Sequence, residues 1–398
     1  MPLPLYLLAL AVFAMGTSEF MLAGLLPDIA ADLGVGVGTA AALTSAFALG
    51  MVAGAPLTAG LLRDRPGRSS LLGCVLVFSA AHVVGALIGS FPVLVATRVV
   101  SALANAGFLA VALETAVTLV PPHRKGRALA VLLSGTTVAT IAGVPGGAAL
   151  GALLGWRAAF WAVAALCLPA ALGIGRGVPA RPAPAPTGGK ASLRLEFAQL
   201  GRARLVLVML LGALVNAATF AGFTFLAPVV TGTAGLGKGW VCVVLVLFGT
   251  GSLAGVTLAG HLSDRHPGLV LATGGPLLLV GWPALAMLAA EPVALFGLVF
   301  LLGALSFAVG STLIARILYE AAGAPTMAGS YATAALNAGA ALGPLVGGRA
   351  LGTGSGDLGP LWVSGLLVLA ALLLACAGRG VLVVRTTAAE GEGRMRGR

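Results

Sequence analysis

The sequence predicts an all-α polytopic membrane protein, with twelve transmembrane helices arranged as two pseudo-symmetric bundles of six. Its composition excludes a water-soluble domain, because only 9% of the 398 residues are charged, whereas soluble globular proteins carry about 25% charged residues. Apolar runs of about 20 residues, the length at which a helix crosses a bilayer, follow one another along the chain. Two short motifs recur after an offset of 200 residues, which indicates a duplicated half.

Six apolar runs predict an N-terminal six-helix bundle over residues 1–175. No positively charged segment precedes the first run and no obvious cleavage site follows it, so we interpret that run as a retained helix and not as a signal peptide. The six runs cover approximately residues 5–26, 39–62, 70–90, 92–116, 128–150 and 156–175.

A Pro-rich, basic segment over residues 176–204 separates the two sets of runs and predicts an extended linker outside the bilayer. Residues 193–200 at its end are compatible with a short amphipathic surface helix. The second bundle is predicted over residues 205–384, with a tail at 385–398. Its runs cover approximately residues 205–230, 240–262, 268–290, 292–316, 327–350 and 360–384.

Lys and Arg residues determine the predicted orientation, because they concentrate on the cytoplasmic side of membrane proteins. With both termini in the cytoplasm, 19 of the 23 basic residues lie on that side. Arg157, Lys238 and Arg349 remain outside, and Arg98 lies within a run. The net charge of +11 is therefore explained by topology, and we expect no nucleic-acid partner.

The duplicated motifs predict a transporter. "GLLRDRPGR" begins at Gly60 and "GHLSDRHPG" at Gly260, while "GVPGG" begins at Gly143 and "GPLVGG" at Gly343. The offset spans six helices, which makes this a parallel repeat. Parallel repeats place a substrate cavity near the midplane between the halves, and halves that rock about such a cavity carry a solute across the membrane.

The repeated loop motif resembles the signature loop of the major facilitator superfamily. This resemblance implies a latch that holds the two halves together on the cytoplasmic side, with bending and close packing of helix 5 at its Gly-Pro motif. The residues that it assigns to gating are Gly60, Asp64, Arg65, Gly67, Arg68, Gly143, Pro145, Gly147, Asp264 and Arg265.

Three further stretches are similar to drug:proton antiporters of that superfamily, and in particular to bacterial chloramphenicol exporters. They are "MGTSEFMLAGLLPDIAADLG", "RVVSALANAGFLAVALETA" and "GVPGGAALGALLGWRAAFW". The resemblance implies proton-coupled efflux of a small neutral antibiotic across a bacterial plasma membrane, by a monomer without a cofactor. A sugar or metabolite exporter and a proton-coupled nutrient-uptake symporter are the alternatives. A membrane receptor or scaffold without transport is a third class of function, but no soluble domain in the sequence supports it.

Enzymatic chemistry is not expected. No nucleotide-binding G-x-x-x-x-G-K-[ST] loop occurs in the sequence, and the groups capable of catalysis do not cluster. The four cysteines lie far apart within apolar runs, without the spacing of a metal site.

Ionisable residues within the predicted spans are the candidates for proton coupling, because intramembrane charges are costly and usually functional. Glu19 lies about 21 Å from the cytoplasmic side and Arg98 about 9 Å from the outer side, at a rise of about 1.5 Å per residue. Both therefore lie at a similar depth in the outer half, and we predict that they form the proton-coupling pair. The alternative is a static buried ion pair.

Helices 1, 4, 7 and 10 line the cavity in the superfamily, so the resemblance assigns polar and aromatic residues on these helices to substrate binding. They are Met15, Ser18, Glu19, Arg98, Ser101, Asn105, Asn216, Phe220 and Phe223. His82 is either a proton relay or a solvated or backbone-bonded residue of a peripheral helix. Glu114 lies near the cytoplasmic end of its run, where we expect a structural role.

Overall fold

The computed structural model describes residues 2–62, 65–179, 198–263, 267–324 and 327–378. Within these ranges the regular structure is helical throughout. We number the membrane-crossing helices α1 to α12. In the first half they are α1 (Leu3–Phe20 and Leu22–Leu33), α2 (Ala42–Leu62), α3 (Gly67–Leu87), α4 (Phe91–Thr118), α5 (Lys125–Val138 and Val144–Leu154) and α6 (Trp156–Gly177).

The second half repeats this order. Its helices are α7 (Ala203–Thr224, extended by Leu226–Pro228 and a π-helical turn at Val229–Thr233), α8 (Gly239–Ser263), α9 (Pro267–Leu288), α10 (Pro292–Glu320), α11 (Ala328–Ala350) and α12 (Gly359–Ala377). Short helices at Val37–Ala40, Pro122–Arg124, Ala198–Gly201 and Gly356–Leu358 lie between the crossings. Most of the predicted surface helix at residues 193–200, and the tail at 385–398, lie outside the described ranges.

Eleven helices of the described chain are long and apolar enough to cross a membrane, and α11 is the crossing that does not reach this hydropathy. Its low hydropathy comes from small and polar residues that contact another helix. A Cβ added at Gly339 or Gly343 would meet the carbonyl oxygen of Ala213 or Ala217 on α7. Small residues of this kind let helix backbones approach closely inside a membrane, so α11 joins α7 by backbone contact.

Helices α1 and α5 are interrupted at matching heights. The first segment of α1 ends at Phe20, and Met21 separates it from the second. In α5 a π-helical turn at Ala139–Gly143 precedes Pro145, which has no N–H to donate to the helix. Added Cβ atoms at Gly143 and Gly147 would meet the side chains of Thr17 and Met21. The predicted close packing of helix 5 is therefore confirmed, with α1 as its partner.

Two hydrophobic cores follow the two halves of the sequence. The buried residues of the first lie between Leu5 and Val178, joined by Phe225. The second extends from Leu205 to Ala371 and takes in Ala23, Val144 and Ala148 from the first half. Large apolar side chains such as Leu153 and Val293 are 80% and 86% exposed, as expected for a surface that faces lipid.

The two halves contact each other at one end of the bundle, which we call the Asp28 end. Asp28 forms an ion pair with Lys238 at 2.6 Å across the interface. The Ser45 hydroxyl donates to the carbonyl oxygen of Ala341 at 2.7 Å. The backbones of Gly38 and Gly348 also meet there, with no room for a side chain at either position. These contacts close the Asp28 end of the interface.

Candidate substrate and proton site

Arg98 is held on the backbone of α1 instead of on a carboxylate. Its Nη1 donates to the Ser18 hydroxyl at 2.7 Å, and its Nη2 donates to the Ser18 carbonyl oxygen at 2.9 Å. The guanidinium also lies over the Phe47 ring, with Cζ 4.4 Å from the centroid, which is a favourable cation–π distance. The residue is only 1% exposed, and these contacts satisfy Nη1 and Nη2, while Nε is buried without a hydrogen-bond partner among the described residues.

His82 completes the network from α3. Its Nδ1 donates to the carbonyl oxygen of Phe78 at 2.8 Å, and because a carbonyl oxygen only accepts, Nδ1 carries the proton. In a neutral ring Nε2 therefore accepts from the Ser18 hydroxyl, which lies at 2.6 Å. The ring packs between Phe78 and Phe160, at centroid distances of 4.4 and 5.5 Å. His82 is therefore bonded to the backbone and not solvated, because the residue is buried. Its role as a proton relay stays a prediction.

Glu19 follows Ser18 directly and is half-buried. It interacts electrostatically with Arg98, but the two ion pairs among the described residues do not include it, and its oxygens lie more than 4.0 Å from the Arg98 nitrogens. The structure therefore does not contain the static Glu19–Arg98 ion pair that was the alternative. The carboxyl group is left available for a proton, near a cation that has other partners.

Three predicted substrate-binding residues lie inside the first bundle. The Ser101 hydroxyl donates to the Thr97 carbonyl oxygen at 2.7 Å, and the Asn105 amide contacts Met51 Sδ on α2 at 3.6 Å. Met15 is 1% exposed within the first core. These contacts direct the three side chains into the bundle, away from the other half, and their predicted role in binding is not supported by this geometry.

An aromatic cleft lies between the halves, one residue away from Glu19. The lining comes from α1, α5, α7, α8 and α10, and it consists of Phe20, Thr140, Val144, Thr219, Phe220, Phe223, Phe248, Gly249, Ser252 and Phe307.

The five phenylalanines of the cleft form a continuous row. Phe20 lies 5.9 Å from Phe220 between ring centroids, and Phe220 lies 6.2 Å from Phe223. Phe223 contacts Phe248 at 4.7 Å, and Phe248 lies 6.2 Å from Phe307. All four distances fall in the range of favourable aromatic pairs, so the row presents one apolar wall that both halves contribute to.

Hydroxyl groups in the cleft present acceptor oxygens. Thr140, Thr219 and Ser252 each donate their hydroxyl proton to a backbone carbonyl oxygen of their own helix, at 2.8, 3.0 and 2.7 Å. Because a hydroxyl has one proton and two lone pairs, each oxygen is left able to accept. The cleft therefore combines aromatic surface with acceptors for the O–H and N–H groups of a neutral solute.

The structure places two of the predicted helix-7 residues in the cleft, Phe220 and Phe223. Asn216 instead donates to the Leu336 carbonyl oxygen on α11 at 2.7 Å. Phe20, Phe248 and Phe307 also line the cleft, and the sequence pattern did not identify them. Their signal was an aromatic residue near the middle of an apolar run, which by itself does not distinguish a cavity wall from helix packing.

The gating residues are only partly described. Asp64, Asp264 and Arg265 lie outside the described ranges, and Gly60 belongs to α2. Arg65 is exposed, and Arg68 lies in the first turn of α3.

Gly67 begins α3 beside α4 of the same half, where an added Cβ would lie 3.6 Å from the Thr115 hydroxyl. The latch between the halves stays a prediction.

Glu114 is exposed on α4, which fits a position near the membrane surface.

The sequence profile of the Major Facilitator Superfamily matches residues 8–328. The chain is 72% identical over 98% of both lengths to the "Chloramphenicol resistance protein" of Streptomyces lividans. It is 33% identical to the "Inner membrane transport protein YdhP" of Escherichia coli strain K12, covering 89% of this chain and 90% of that protein.

Among solved structures, the nucleoside transporter NupG superposes with a TM-score of 0.74 at 14% identity, covering 95% of this chain and 99% of that one. The D-xylose-proton symporter gives a TM-score of 0.68 at 18% identity, covering 93% and 96% of the two chains. At these identities the structures establish the fold alone. Taken with the profile and the relatives, they show that the chain belongs to the Major Facilitator Superfamily, a family of membrane transporters.

Proposed function

We propose that the protein exports chloramphenicol in exchange for protons, by alternating access of a cleft between its two halves. The observation that carries the proposal is the row of five phenylalanines, which begins at Phe20, the residue after Glu19 in the chain. Chloramphenicol is a neutral solute with one aromatic ring, two hydroxyl groups and an amide. The ring matches the aromatic wall, and its O–H and N–H donors match the acceptor oxygens of Thr140, Thr219 and Ser252. High identity to the Streptomyces lividans chloramphenicol resistance protein supports the same substrate.

Proton coupling is assigned to Glu19 with Arg98. Phe20 lines the cleft and directly follows Glu19 in the chain, so we assign the proton site and the drug site to the same segment of α1. The proton and the drug then compete for one region of the protein, and each carrier half-cycle moves one of them. One proton crossing about 150 mV releases about 3.4 kcal/mol, which sustains a gradient of roughly 300-fold for a neutral solute.

We further propose that the Asp28 end faces the outside and both termini face the cytoplasm of a bacterial cell. The support is the distribution of basic residues, since Arg65, Arg68 and Arg176 lie at the ends of α3 and α6 that are opposite to the Asp28 end. The closed Asp28 end then corresponds to a carrier that is open to the cytoplasm. Transport requires the Asp28–Lys238 contact to open, and the Asp64 loop acts as the latch of the opposite side. We expect the monomer to be the working unit.

Proton flux in sealed proteoliposomes tests the proposed exchange. Chloramphenicol added outside vesicles of equal internal and external pH should make the lumen alkaline, because entering drug is exchanged for leaving protons. Passive permeation of the neutral drug carries no proton, and protein-free vesicles provide that control. Acidification of the lumen would instead identify an uptake symporter. A proton flux elicited by a neutral sugar, with none elicited by chloramphenicol, would favour the sugar exporter.

A further inference from the structure

His82 occupies a fixed place in a directional chain of hydrogen bonds. The Phe78 carbonyl oxygen fixes the proton on Nδ1, so Nε2 accepts from the Ser18 hydroxyl at 2.6 Å. With its proton directed to His82, the Ser18 oxygen turns its lone pairs toward Arg98 Nη1, which donates at 2.7 Å. Each N–H or O–H donor in this series of hydrogen bonds has one acceptor. His82 therefore determines the direction in which the Ser18 hydroxyl points.

The second bond of Arg98 falls at the break in α1. Ser18 lies in the last turn of the segment that ends at Phe20, where helical carbonyl groups lose their partners within the helix. Arg98 Nη2 donates to that carbonyl oxygen at 2.9 Å. Arg98 is thereby bound to the residue that precedes Glu19, while Glu19 itself lies beyond ion-pair distance.

We propose that His82 is a positioning residue for proton exchange. Through the Ser18 hydroxyl it holds Arg98 on residue 18, and this prevents Arg98 from forming a lasting ion pair with Glu19, which must stay free to bind and release a proton. The inference rests on the proposed function, since it concerns the residue that exchanges the proton in that cycle.

The position that matches His82 in the second half of the chain shows which kind of side chain is sufficient for packing there. The residue 200 positions after His82 is Trp282, which is also 1% exposed and packs on Gly222 of α7. The counterparts of the three network residues are uncharged and include no side-chain acceptor for an arginine: Ala218, Trp282 and Leu298. A plain aromatic ring therefore satisfies the packing, and the hydrogen bond to Ser18 is an additional property of the first half.

The surroundings of His82 limit which charges act on it. Helix α1 presents Ser18, α3 presents Phe78 and α6 presents Phe160. Arg98 on α4 is the charged group that faces the ring, and Glu19 acts on Arg98. A change at His82 therefore reaches Glu19 through Ser18 and Arg98.

The test measures chloramphenicol binding to the purified full chain as a function of pH. His82→Phe keeps the ring between Phe78 and Phe160 but removes the acceptor. The Ser18 hydroxyl then no longer has its proton directed away from Arg98, and its bond from Nη1 is weakened. Arg98 shifts toward Glu19 and favours its carboxylate, so the pH midpoint of binding should fall by up to about one pH unit. Maximal binding at high pH should stay within about twofold of the parent, because the cleft is unchanged. Ser18→Ala should give the same shift with a smaller change of shape.

Two further variants separate positioning from packing. His82→Gln places an amide oxygen near the former Nε2 and should restore most of the parent midpoint. Ser79→Ala, the matched control, removes another buried hydrogen bond of α3, from its hydroxyl to the Ala164 carbonyl oxygen at 3.2 Å, and should leave the midpoint in place. The double variant His82→Phe with Ser18→Ala should shift no further than either single variant, because both remove one interaction.

An unchanged midpoint in folded His82→Phe and Ser18→Ala would overturn the inference and make His82 a packing residue. If His82→Phe does not fold, His82→Leu, which also lacks the acceptor, takes its place and is compared with His82→Gln, because Ser18→Ala removes the Arg98 bond itself. The proposed function is judged separately, on the parent chain. If the parent protein makes the vesicle lumen alkaline on addition of drug, and the pH midpoints of binding of the variants equal that of the parent, only the role of His82 is refuted. If vesicles that contain the parent protein show no exchange of drug for protons, the proposed function itself is refuted.

Discussion

Glu19 is the residue on which the proposed exchange depends, because it stands in the chain between Ser18, which binds Arg98, and Phe20, which lines the cleft. Glu19→Gln keeps the size of the side chain and most of its hydrogen bonding but removes its proton exchange. Uphill export driven by a pH gradient should be lost. Drug binding should become independent of pH between about pH 5 and 9, since no group that changes charge remains beside the drug.

The measurement for this variant is equilibrium drug binding across that pH range, with transport in vesicles alongside. The variant should fold, because a neutral amide is less costly within the membrane than a carboxylate. A pH dependence equal to that of the parent would show that another group couples the proton, and would direct attention to Glu114 or His82.

Phe223 takes part in the closest ring contact of the aromatic row, since its ring centroid lies 4.7 Å from that of Phe248. Phe223→Ala removes one face of the wall, and the apparent Kd for chloramphenicol should rise about tenfold, which corresponds to about 1.4 kcal/mol. Phe296→Ala is a matched control, because Phe296 stacks on Trp240 at 5.3 Å and is not among the residues that line the cleft. Equal effects of the two variants on Kd would argue against drug binding in this cleft.

At the scale of the helix, the contact of α11 with α7 is predicted to depend on the absence of side chains. A Cβ at Gly343 would meet the Ala217 carbonyl oxygen, and the backbones would have to move apart. Gly343→Ala should therefore destabilise the protein by about 1–3 kcal/mol, measured as a lower thermal unfolding midpoint in detergent.

Gly329 provides the control on the same helix, because an added Cβ there has nothing within 4 Å. Gly329→Ala should leave stability unchanged or raise it by up to about 1 kcal/mol, through the better helix propensity of alanine. If both alanines are tolerated equally, α11 does not depend on close backbone packing and another contact holds it.

At the scale of the whole molecule, the Asp28–Lys238 ion pair joins the two halves at the closed end. Lys238 is largely exposed, so the pair contributes at most about 1 kcal/mol. Lys238→Glu replaces attraction with repulsion and should raise the open fraction of this end about fivefold or more. Accessibility of an Ala48→Cys thiol to an impermeant reagent added at the Asp28 end reports the opening, since Ala48 is buried among residues of both halves.

This labelling requires a background in which the four native cysteines are replaced. The charge-swapped protein, with Asp28→Lys and Lys238→Asp, should return the labelling rate to that of the parent, because the attraction is restored with opposite signs. Labelling that is the same in the parent, Lys238→Glu and the swapped protein would show that the ion pair does not hold this end closed.

The sequence by itself determined the membrane-spanning fold. Apolar runs, the positions of Arg and Lys, and the repeat at 200 residues depend on local composition, and the bilayer imposes helices on any such run because backbone groups have no water to bind. The location of Glu19 and Arg98 within membrane spans was also predicted from the sequence, because a charged residue inside an apolar run is identified directly. The run over residues 327–350 predicted α11 as well, although α11 is the crossing with the lowest hydropathy.

Only the tertiary structure decided what these residues contact. Arg98 binds Ser18 in place of Glu19, His82 reaches α1 from a helix expected at the periphery, and Ser101 and Asn105 turn into the first bundle. The cleft draws Phe20, Phe248 and Phe307 from three helices far apart in the chain. In a membrane, lipid and protein interior are equally apolar, so hydrophobic periodicity does not indicate which face of a helix meets another helix. That choice is made by close packing and hydrogen bonds between segments.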